Sequence, residues 1–292
     1  MLRVSLIIPA YNEQERIADC LRNAIIQTVP AHEILVVDNK STDNTVQEVE
    51  RVMEQYPDAP VRLLHQNAEQ GLVPTRNFGF DHATGDVLGR FDADCMLRPD
   101  WVEQVSALFE HNPQAMGATG PVTYYDMPAK QFSLRSDDSV RRHTFRAEHN
   151  EVLLFGSNMA IRATAWQQIR TSVCRDEADI MHEDIDLSLH LLSADLATVY
   201  SKHMVCSISA RRMDTSFSSF IAYMKRFKHT FKAHPDHRRK RKSEHVLIAA
   251  YPALHTLYPL YRKYLDHMDI NPAERMWMRE RINFDIDDQW FD

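Results

Sequence analysis

Two aspartates separated by one residue, Asp92 and Asp94, are the side chains of this sequence best suited to holding a cation. They follow the apolar run 87–91 and precede Arg98-Pro99, so we expect them where a strand ends. Mg²⁺ and Mn²⁺ prefer oxygen ligands and take one or two carboxylates beside substrate phosphates. The pair therefore indicates a metal and diphosphate site, with turn formation at a strand end as the alternative explanation.

Alternating elements must position these carboxylates. Apolar runs and helical spacing predict strands at 4–8, 34–37, 61–65 and 87–91, with helices over 13–27, through 46–53, and over 74–82 and 99–110. This order is typical of an α/β, Rossmann-like fold with a mostly parallel central sheet flanked by helices. Such sheets bind ligands beyond the carboxyl ends of their strands. Because Asp38 and Asp92 both follow strands, we expect them at one edge.

The second half of the chain is less regular. We expect a strand near 115–119, loop and short strand over 130–151, and a helix that begins near Glu183-Asp184. Two strands near 197–200 and 204–208 then precede a helical, more basic segment from 216 onward. All seven glycines lie between residues 71 and 156, which predicts tight backbone geometry in the middle of the chain.

Composition excludes some functions. The 292 residues suffice for one large domain or two modest ones. A net charge of −7 argues against nucleic acid as the main partner. The four cysteines are far apart and form no C-x-x-C pair, which favours a reduced, cytoplasmic setting. The apolar segment at 4–10 is too short for a signal peptide, so we do not expect export.

Six segments carry a family resemblance: 8–13, 36–43, 66–79, 83–94, 156–162 and 183–186. In this order and spacing they resemble the inverting family 2 glycosyltransferases, which have the GT-A fold. The resemblance covers about residues 3 to 210. It implies a catalytic domain over 1–213, with a nucleotide-binding half at 1–110 and an acceptor-binding half at 111–213, followed by a helical extension at 214–292.

The resemblance also implies the roles of individual residues. Tyr11 would stack on the nucleotide base, Asp38 would accept a hydrogen bond from the base edge, and Arg76 would touch the base or diphosphate. Asp94 would bind Mn²⁺ or Mg²⁺, with His203 as a further ligand. The full set expected at the substrates is Pro9, Tyr11, Glu13, Asp38, Arg76, Asp92, Ala93, Asn158 and Glu183. His182 is the other histidine that could complete the metal shell, and for both residues the alternative is that a lone histidine is structural.

Asp184 is the residue that the resemblance assigns to catalysis. An inverting transfer needs a carboxylate to take the proton of the attacking hydroxyl, and such general bases contribute about 10²–10⁴-fold. The alternative is that Glu183 and Asp184 only stabilise the start of a helix, where a carboxylate is worth about 0.3–1 kcal/mol.

The implied reaction moves a hexosyl or N-acetylhexosaminyl group from a nucleotide-diphosphate sugar, expected to be UDP-linked, to a saccharide, lipid-linked or other hydroxyl acceptor. Two alternatives stay open, a sugar nucleotidyltransferase and a non-catalytic nucleotide-sugar-binding module. The absence of the Gln-x-x-Arg-Trp motif of processive relatives argues against polymer synthesis.

Residues 238–263 combine a basic cluster at 238–242 with an uncharged, tyrosine-containing stretch at 246–261. This pattern suits peripheral contact with an anionic membrane, on the inner face if the protein is cytoplasmic. The alternative is a helix that packs on the catalytic core beside a solvated basic loop.

Overall fold

Strands and helices alternate through the first half of the chain, as predicted. The computed structural model describes residues 1–127, 130–144, 152–235, 248, 251–253, 255–260 and 263. The elements of the first half are β1 Val4–Ala10, α1 Ile17–Ile25, β2 Glu33–Asp38, α2 Thr45–Gln55, β3 Val61–His65, α3 Leu72–His82 and β4 Val87–Arg90.

The second half adds shorter strands and the helices that complete the site. Its elements are β5 Met96–Leu97, α4 Trp101–His111, β6 Gly117–Thr119, β7 Val122–Tyr124, α5 Lys130–Thr144, β8 Met159–Arg162, α6 Ala163–Ile169, α7 Glu183–Ser193, β9 Thr198–Tyr200, β10 Cys206–Ile208 and α8 Phe217–Ala233. A 3₁₀ turn at Arg211–Asp214 connects β10 to α8.

The central sheet has seven strands in the order β3-β2-β1-β4-β8-β6-β9. β1 pairs in parallel with β2 and β4, whereas β8 runs antiparallel to β4 and β6. The carboxyl ends of β1, β2 and β4 therefore share one edge with the amino end of β8. This is the mostly parallel α/β sheet that the alternation predicted.

Successive residues of the buried strands face opposite layers of the core, as strand geometry requires. On one face, Leu6 and Val36 pack in a cluster that includes Trp101 of α4. On the other, Ile7 and Leu35 pack in a cluster with residues of α3, α6 and α7. Burial on both faces explains why these strands read as continuous apolar runs.

The predicted start of the first helix differs from the structure. Helix α1 begins at Ile17 and not at 13. Hydrogen bonds to residues 43 and 45 hold the backbone of residues 13 and 14 in a loop. The backbone N–H groups of Glu13 and Gln14 donate to Thr45 Oγ1 at 2.8 Å and to Asp43 Oδ2 at 3.2 Å. Asn12, with φ of 54°, lies in the left-handed region that a helix does not use.

The prediction of loop and short strand over 130–151 was wrong for residues 130–144, which form helix α5. This segment is strongly polar, so few apolar residues mark a buried helical face in its sequence. Tertiary contacts set the helix: Leu134 is buried, and Asp137 accepts from the Val122 N–H at 2.8 Å and pairs with Arg141 one turn later.

Helix α8 and the described residues beyond it cover one side of α7. Phe220 of α8 stacks on Tyr251 with ring centroids 3.8 Å apart, and Tyr258 donates to Asp126 Oδ2 at 2.9 Å. Tyr251 and Tyr258 are both buried. The basic cluster at 238–242 lies outside the described residues. Within the described part of the chain, no helix combines the length and apolar character needed to cross a membrane.

Candidate active site

The loops that follow β1 and β2 are joined at the ligand edge of the sheet. The Asn39 N–H donates to the Ala10 carbonyl at 3.0 Å, and the Asn12 N–H donates to Ser41 Oγ at 3.0 Å. Tyr11, between these contacts, is 50% exposed, so its ring is open to a ligand. Asp38 is buried at the end of β2, where its Oδ1 accepts from the Ser41 N–H at 3.3 Å.

Asp92 and Asp94 follow β4 at the same edge. The Asp92 side chain is 42% exposed, whereas Asp94 is buried. Burial and the neighbouring Asp92 raise the pKa of Asp94 to about 6, although Arg211 acts in the opposite direction. Ligand atoms of Asp92, Asp94 and Cys95 lie within 4.8 Å of one another. Two carboxylates at this spacing are suitable ligands for a hard cation.

Arg211 connects the loop after β1 to Asp94. Its Nε lies 2.9 Å from Asp94 Oδ2, and its Nη1 donates to Glu13 Oε2 at 2.8 Å. Burial lowers the pKa of Arg211, but the two carboxylates outweigh it and hold the pKa above the ordinary value. Arg211 therefore links Glu13 to Asp94.

Arg90, the last residue of β4, bridges the two carboxylate pairs. Its buried guanidinium places Nη2 2.8 Å from Asp92 Oδ1 and 3.0 Å from Glu183 Oε1. Arg76 pairs with the other Glu183 oxygen, and its Nη1 also donates to the Glu183 carbonyl at 2.7 Å. Burial lowers the pKa of Arg90, but Asp92, Glu183 and Asp184 raise it more. The start of α7 is thereby held beside Asp92.

Asp184 lies at this anchored helix start. Its Oδ2 accepts from the Gly156 N–H at 2.8 Å, and its Oδ1 accepts from the Ile185 N–H at 2.8 Å. The carboxylate is partly exposed, unlike the buried Glu183. A half-exposed carboxylate in a fixed orientation is suited to accepting a proton from a bound hydroxyl.

Three residues that were predicted to bind substrate are buried beneath the site. Asn158 is fully buried: its Nδ2 donates to the carbonyls of Pro121 at 3.0 Å and Met204 at 2.6 Å, and its Oδ1 accepts from Trp101. Pro9 is buried in β1, and Ala93 is buried between the two aspartates. The hydrogen bonds of Asn158 hold β8 to the segments that carry Pro121, Met204 and Trp101.

Neither histidine candidate joins the Asp92 and Asp94 group. His203 lies between β9 and β10, where burial, followed by Lys202 and Arg98, lowers its pKa. In the described part of the chain, the group of ligand atoms at Asp94 does not include it. The His182 ring packs against Tyr223 and Phe227, with centroid distances of 4.7 Å and 4.0 Å.

The sequence did not identify Arg90 as a residue of the site, and it did not show why position 156 requires glycine. A Cβ on Gly156 would lie 1.4 Å from Arg90 Nη1, so only glycine leaves room for the guanidinium. The confinement of glycines to the middle of the chain pointed to this region. An arginine inside an apolar strand was the available signal for Arg90, since a charge there must find buried partners.

The parallel sheet, its switch to an antiparallel β8 and the carboxylates at the strand ends define an α/β class of protein that binds ligands at the carboxyl ends of its strands. Residues 5–170 match the model of Glycosyl transferase family 2, and the chain belongs to that family. Membership confirms the resemblance and the assignment to a class of glycosyltransferases.

A curated relative, glycosyltransferase AglE of Haloferax volcanii, is 35% identical over 124 residues. That alignment covers 41% of this chain and 40% of AglE, so the similarity spans less than half of either protein.

Two solved structures are similar in fold. The mannosyltransferase PcManGT of Pyrobaculum calidifontis, in complex with GDP-Man and Mn²⁺, has a TM-score of 0.67 at 17% identity, covering 97% of this chain and 85% of that one. S. aureus TarS 1-349 in complex with UDP-GlcNAc has a TM-score of 0.56 at 15% identity, covering 95% and 79%. These similarities confirm the GT-A fold.

Proposed function

We propose that the protein transfers a sugar from a nucleotide-diphosphate sugar to a hydroxyl acceptor, with inversion at the anomeric carbon. The observation that carries this proposal is the bridge made by Arg90 between Asp92 and Glu183. Because Asp184 directly follows Glu183, this bridge holds Asp184 at the edge of the sheet that carries Asp92 and Asp94. One site then holds groups for a leaving diphosphate and a base for the incoming hydroxyl.

The donor nucleotide binds over the loops after β1 and β2. The exposed ring of Tyr11 offers a stacking face for the base, and Asp38 accepts a hydrogen bond from the base edge. Arg76 is engaged with Glu183 and Asn77, so its role is to position α7. Glu183 and Asn158 act in the same indirect way, through their buried partners.

The carboxylates of Asp92 and Asp94 fit a divalent cation, because both are hard oxygen ligands within reach of one ion. Mn²⁺ or Mg²⁺ bound there would neutralise charge on the departing diphosphate. The related fold of PcManGT was solved with GDP-Man and Mn²⁺, which supports this assignment. Arg211 supplies further positive charge at Asp94.

Asp184 accepts the proton in the transfer step. The acceptor oxygen forms a bond to the anomeric carbon while the bond between that carbon and the diphosphate oxygen breaks. The hydroxyl proton passes to the Asp184 carboxylate, and the nucleoside diphosphate leaves. The Gly156 N–H fixes one oxygen of this carboxylate at 2.8 Å, which leaves the orientation of the base defined before substrate binds.

Release of nucleoside diphosphate from a panel of UDP- and GDP-linked sugars, with Mn²⁺, Mg²⁺ or chelator and a set of saccharide and lipid-linked acceptors, tests the proposal. We expect Asp184→Asn to lower turnover by about 10²–10⁴-fold with little change in donor affinity. Asn preserves the shape of the side chain, so folding should be retained.

The matched control is Asp195→Asn, at the other end of α7. Asp195 is exposed and has a φ of 56°, a conformation that asparagine adopts readily. It should leave turnover unchanged. An Asp184→Asn protein that turns over at the control rate, or that is mainly unfolded while Asp195→Asn is folded, would refute the base role and favour the helix-start explanation.

A UDP-linked donor, the split into 1–213 and 214–292, and peripheral membrane contact through 238–263 remain parts of this proposal. The two similar structures hold donors with different bases, GDP-Man and UDP-GlcNAc, so the panel includes both. For the membrane contact, co-sedimentation with anionic vesicles should depend on the basic cluster at 238–242 and be lost when it is neutralised.

A further inference from the structure

A second group of metal-ligand side chains surrounds Asp186 on helix α7. It consists of Cys174, Asp186, His190 and His234, which we call the α7 cluster. Asp186 is two positions after Asp184, about 200° around the helix, so the cluster faces away from the candidate base. The transfer reaction gives these four residues no role.

The four ligand atoms converge on one point. His234 Nε2 lies 2.7 Å from Asp186 Oδ1, His190 Nε2 lies 3.5 Å from the same oxygen, and Cys174 Sγ lies 3.8 Å from His190 Nε2. All four atoms lie within 4.8 Å of one another. Bonds of about 2.0–2.3 Å to a tetrahedral Zn²⁺ separate ligand atoms by about 3.3–3.8 Å. Small side-chain shifts are enough to reach that geometry.

Three separate segments supply the cluster. Cys174 comes from the loop after α6, Asp186 and His190 stand one turn apart on α7, and His234 ends α8. Asp186 and His234 are buried, and Cys174 and His190 are partly exposed. The Cys174 N–H also donates to Asp186 Oδ2 at 3.1 Å, which orients the carboxylate. The ligands are therefore fixed by backbone elements and remain reachable from solvent.

We propose that the α7 cluster is a structural zinc site. The donor set of one thiol, two imidazoles and one carboxylate fits Zn²⁺ and not the hard cations expected at Asp94, because thiolate and imidazole are softer ligands. Four protein ligands complete a tetrahedron and leave no open position, as in structural sites. The alternative is a hydrogen-bonded cluster in which Asp186 accepts from both imidazoles.

Charge also favours the zinc site. A thiolate and a carboxylate balance Zn²⁺, so the bound site would be neutral in its half-buried position. Cysteine binds zinc as the thiolate, so zinc binding at Cys174 would be accompanied by proton release.

Zinc bound by the α7 cluster would link α7 to the end of α8 and to the loop after α6. Because α7 begins with Glu183 and Asp184, the site would act on catalysis indirectly, as a positioning element. Its presence does not depend on the proposed transfer reaction.

Cobalt titration of the 292-residue Asp94→Asn protein tests the proposal, since this variant weakens the first metal site. We expect one Co²⁺ per chain, with the visible bands of four-coordinate cobalt and a thiolate-to-cobalt charge-transfer band, both removed by equimolar Zn²⁺. Zn²⁺ should also raise the melting temperature by about 5 °C. Octahedral spectra or no stoichiometric binding would overturn the proposal.

A thiol-labelling measurement needs no substitution. Cys20, Cys95 and Cys206 are buried, so a thiol reagent should modify Cys174 first in the native protein. Stoichiometric Zn²⁺ should slow that labelling at least tenfold, whereas Mg²⁺ should not. Equal labelling rates with and without Zn²⁺ would contradict the site.

Single substitutions test which side chains bind zinc, with a histidine of α8 outside the cluster as the control. Cys174→Ser should abolish the charge-transfer band, and His234→Gln should weaken zinc binding at least tenfold. The matched control is His229→Gln, an exposed histidine on the same helix, which should bind as the parent does. If Cys174→Ser keeps the parent spectrum, or if the control loses binding as His234→Gln does, the assignment is wrong.

Discussion

Arg90 is the single residue on which the relation between the two carboxylate pairs depends. It is buried and pairs with Asp92 and Glu183 at 2.8 Å and 3.0 Å. Removing one partner of a buried ion pair costs about 3–5 kcal/mol, because the remaining charge is left without compensation. The position of Asp184 beside Asp92 therefore rests on a side chain that touches neither substrate in our proposal.

Gly156→Ala tests this dependence without removing a charge. The added Cβ would lie 1.4 Å from Arg90 Nη1, so the guanidinium must move away from its carboxylates. We expect a loss of about 3 kcal/mol in the free energy of unfolding by urea titration, and a large loss of turnover.

Gly117→Ala is the matched control for that substitution. Its Cβ would meet only side-chain carbons, at 3.0–3.3 Å, which can shift. The expected loss is about 1 kcal/mol. Equal losses for the two variants would show that the Arg90 bridge is not the cause.

The sequence identified the aspartates but not the ion pairs that hold them. The sequence pattern predicts the strands that precede Asp38, Asp92 and Asp94, so these residues could be assigned to one edge of the sheet. The ion-pair partners of Glu13 and Glu183 could not be predicted, since Arg211 and Arg90 are far from them in sequence. Such pairs depend on tertiary packing, which local periodicity does not report.

Helix α7 is the element on which both proposed sites depend. Its first turn carries Glu183, Asp184 and Asp186, and His190 follows one turn later. The sequence predicted its start at 183 because three apolar residues recur at helical spacing. It could not predict α5, whose sequence is strongly polar and whose helix is set by packing on β7.

His182, directly before α7, predicts a pH dependence of stability. Burial lowers the pKa of this imidazole from 6.5 to about 3, with Arg226 and Arg212 acting in the same direction. The unfolded chain therefore binds a proton that the folded protein does not accept as pH falls below 6.5. Stability is complete above that value and is lost toward lower pH, by about 1.4 kcal/mol per unit.

His182→Phe should remove this contribution. Comparing the free energy of unfolding at several pH values, we expect the variant to lose about 2 kcal/mol less than the parent between about pH 6.5 and 5. His229→Gln, with an exposed histidine, should follow the parent curve. Parallel curves for parent and His182→Phe would show that His182 is protonated in the folded protein.

At the level of the whole molecule, the described residues beyond α8 pack on α8 and also contact the catalytic part of the chain. Tyr251 stacks on Phe220 and its hydroxyl donates to the Thr215 carbonyl, while Tyr258 reaches Asp126. These contacts agree with a helix that covers the core, the alternative to membrane contact for the tyrosine-containing stretch. The basic cluster before it keeps its proposed role at a membrane surface.

Tyr251→Ala should therefore cost about 3–5 kcal/mol in urea unfolding, as expected for removal of a buried aromatic ring. Leu257→Ala changes a side chain that is 59% exposed and should cost no more than about 0.5 kcal/mol. If the two variants are equally stable, residues 251–260 do not pack on the core in solution.

The central claim is that the Asp92 and Asp94 edge binds a nucleotide-diphosphate sugar together with a divalent cation. Thermal unfolding of the parent and Asp94→Asn proteins, across the nucleotide-sugar panel with and without Mn²⁺, tests it most directly. We predict that at least one nucleotide sugar with Mn²⁺ raises the parent melting temperature by about 5 °C, and that Asp94→Asn abolishes this shift. No response of the parent to any donor, or an equal response of Asp94→Asn, would contradict the claim.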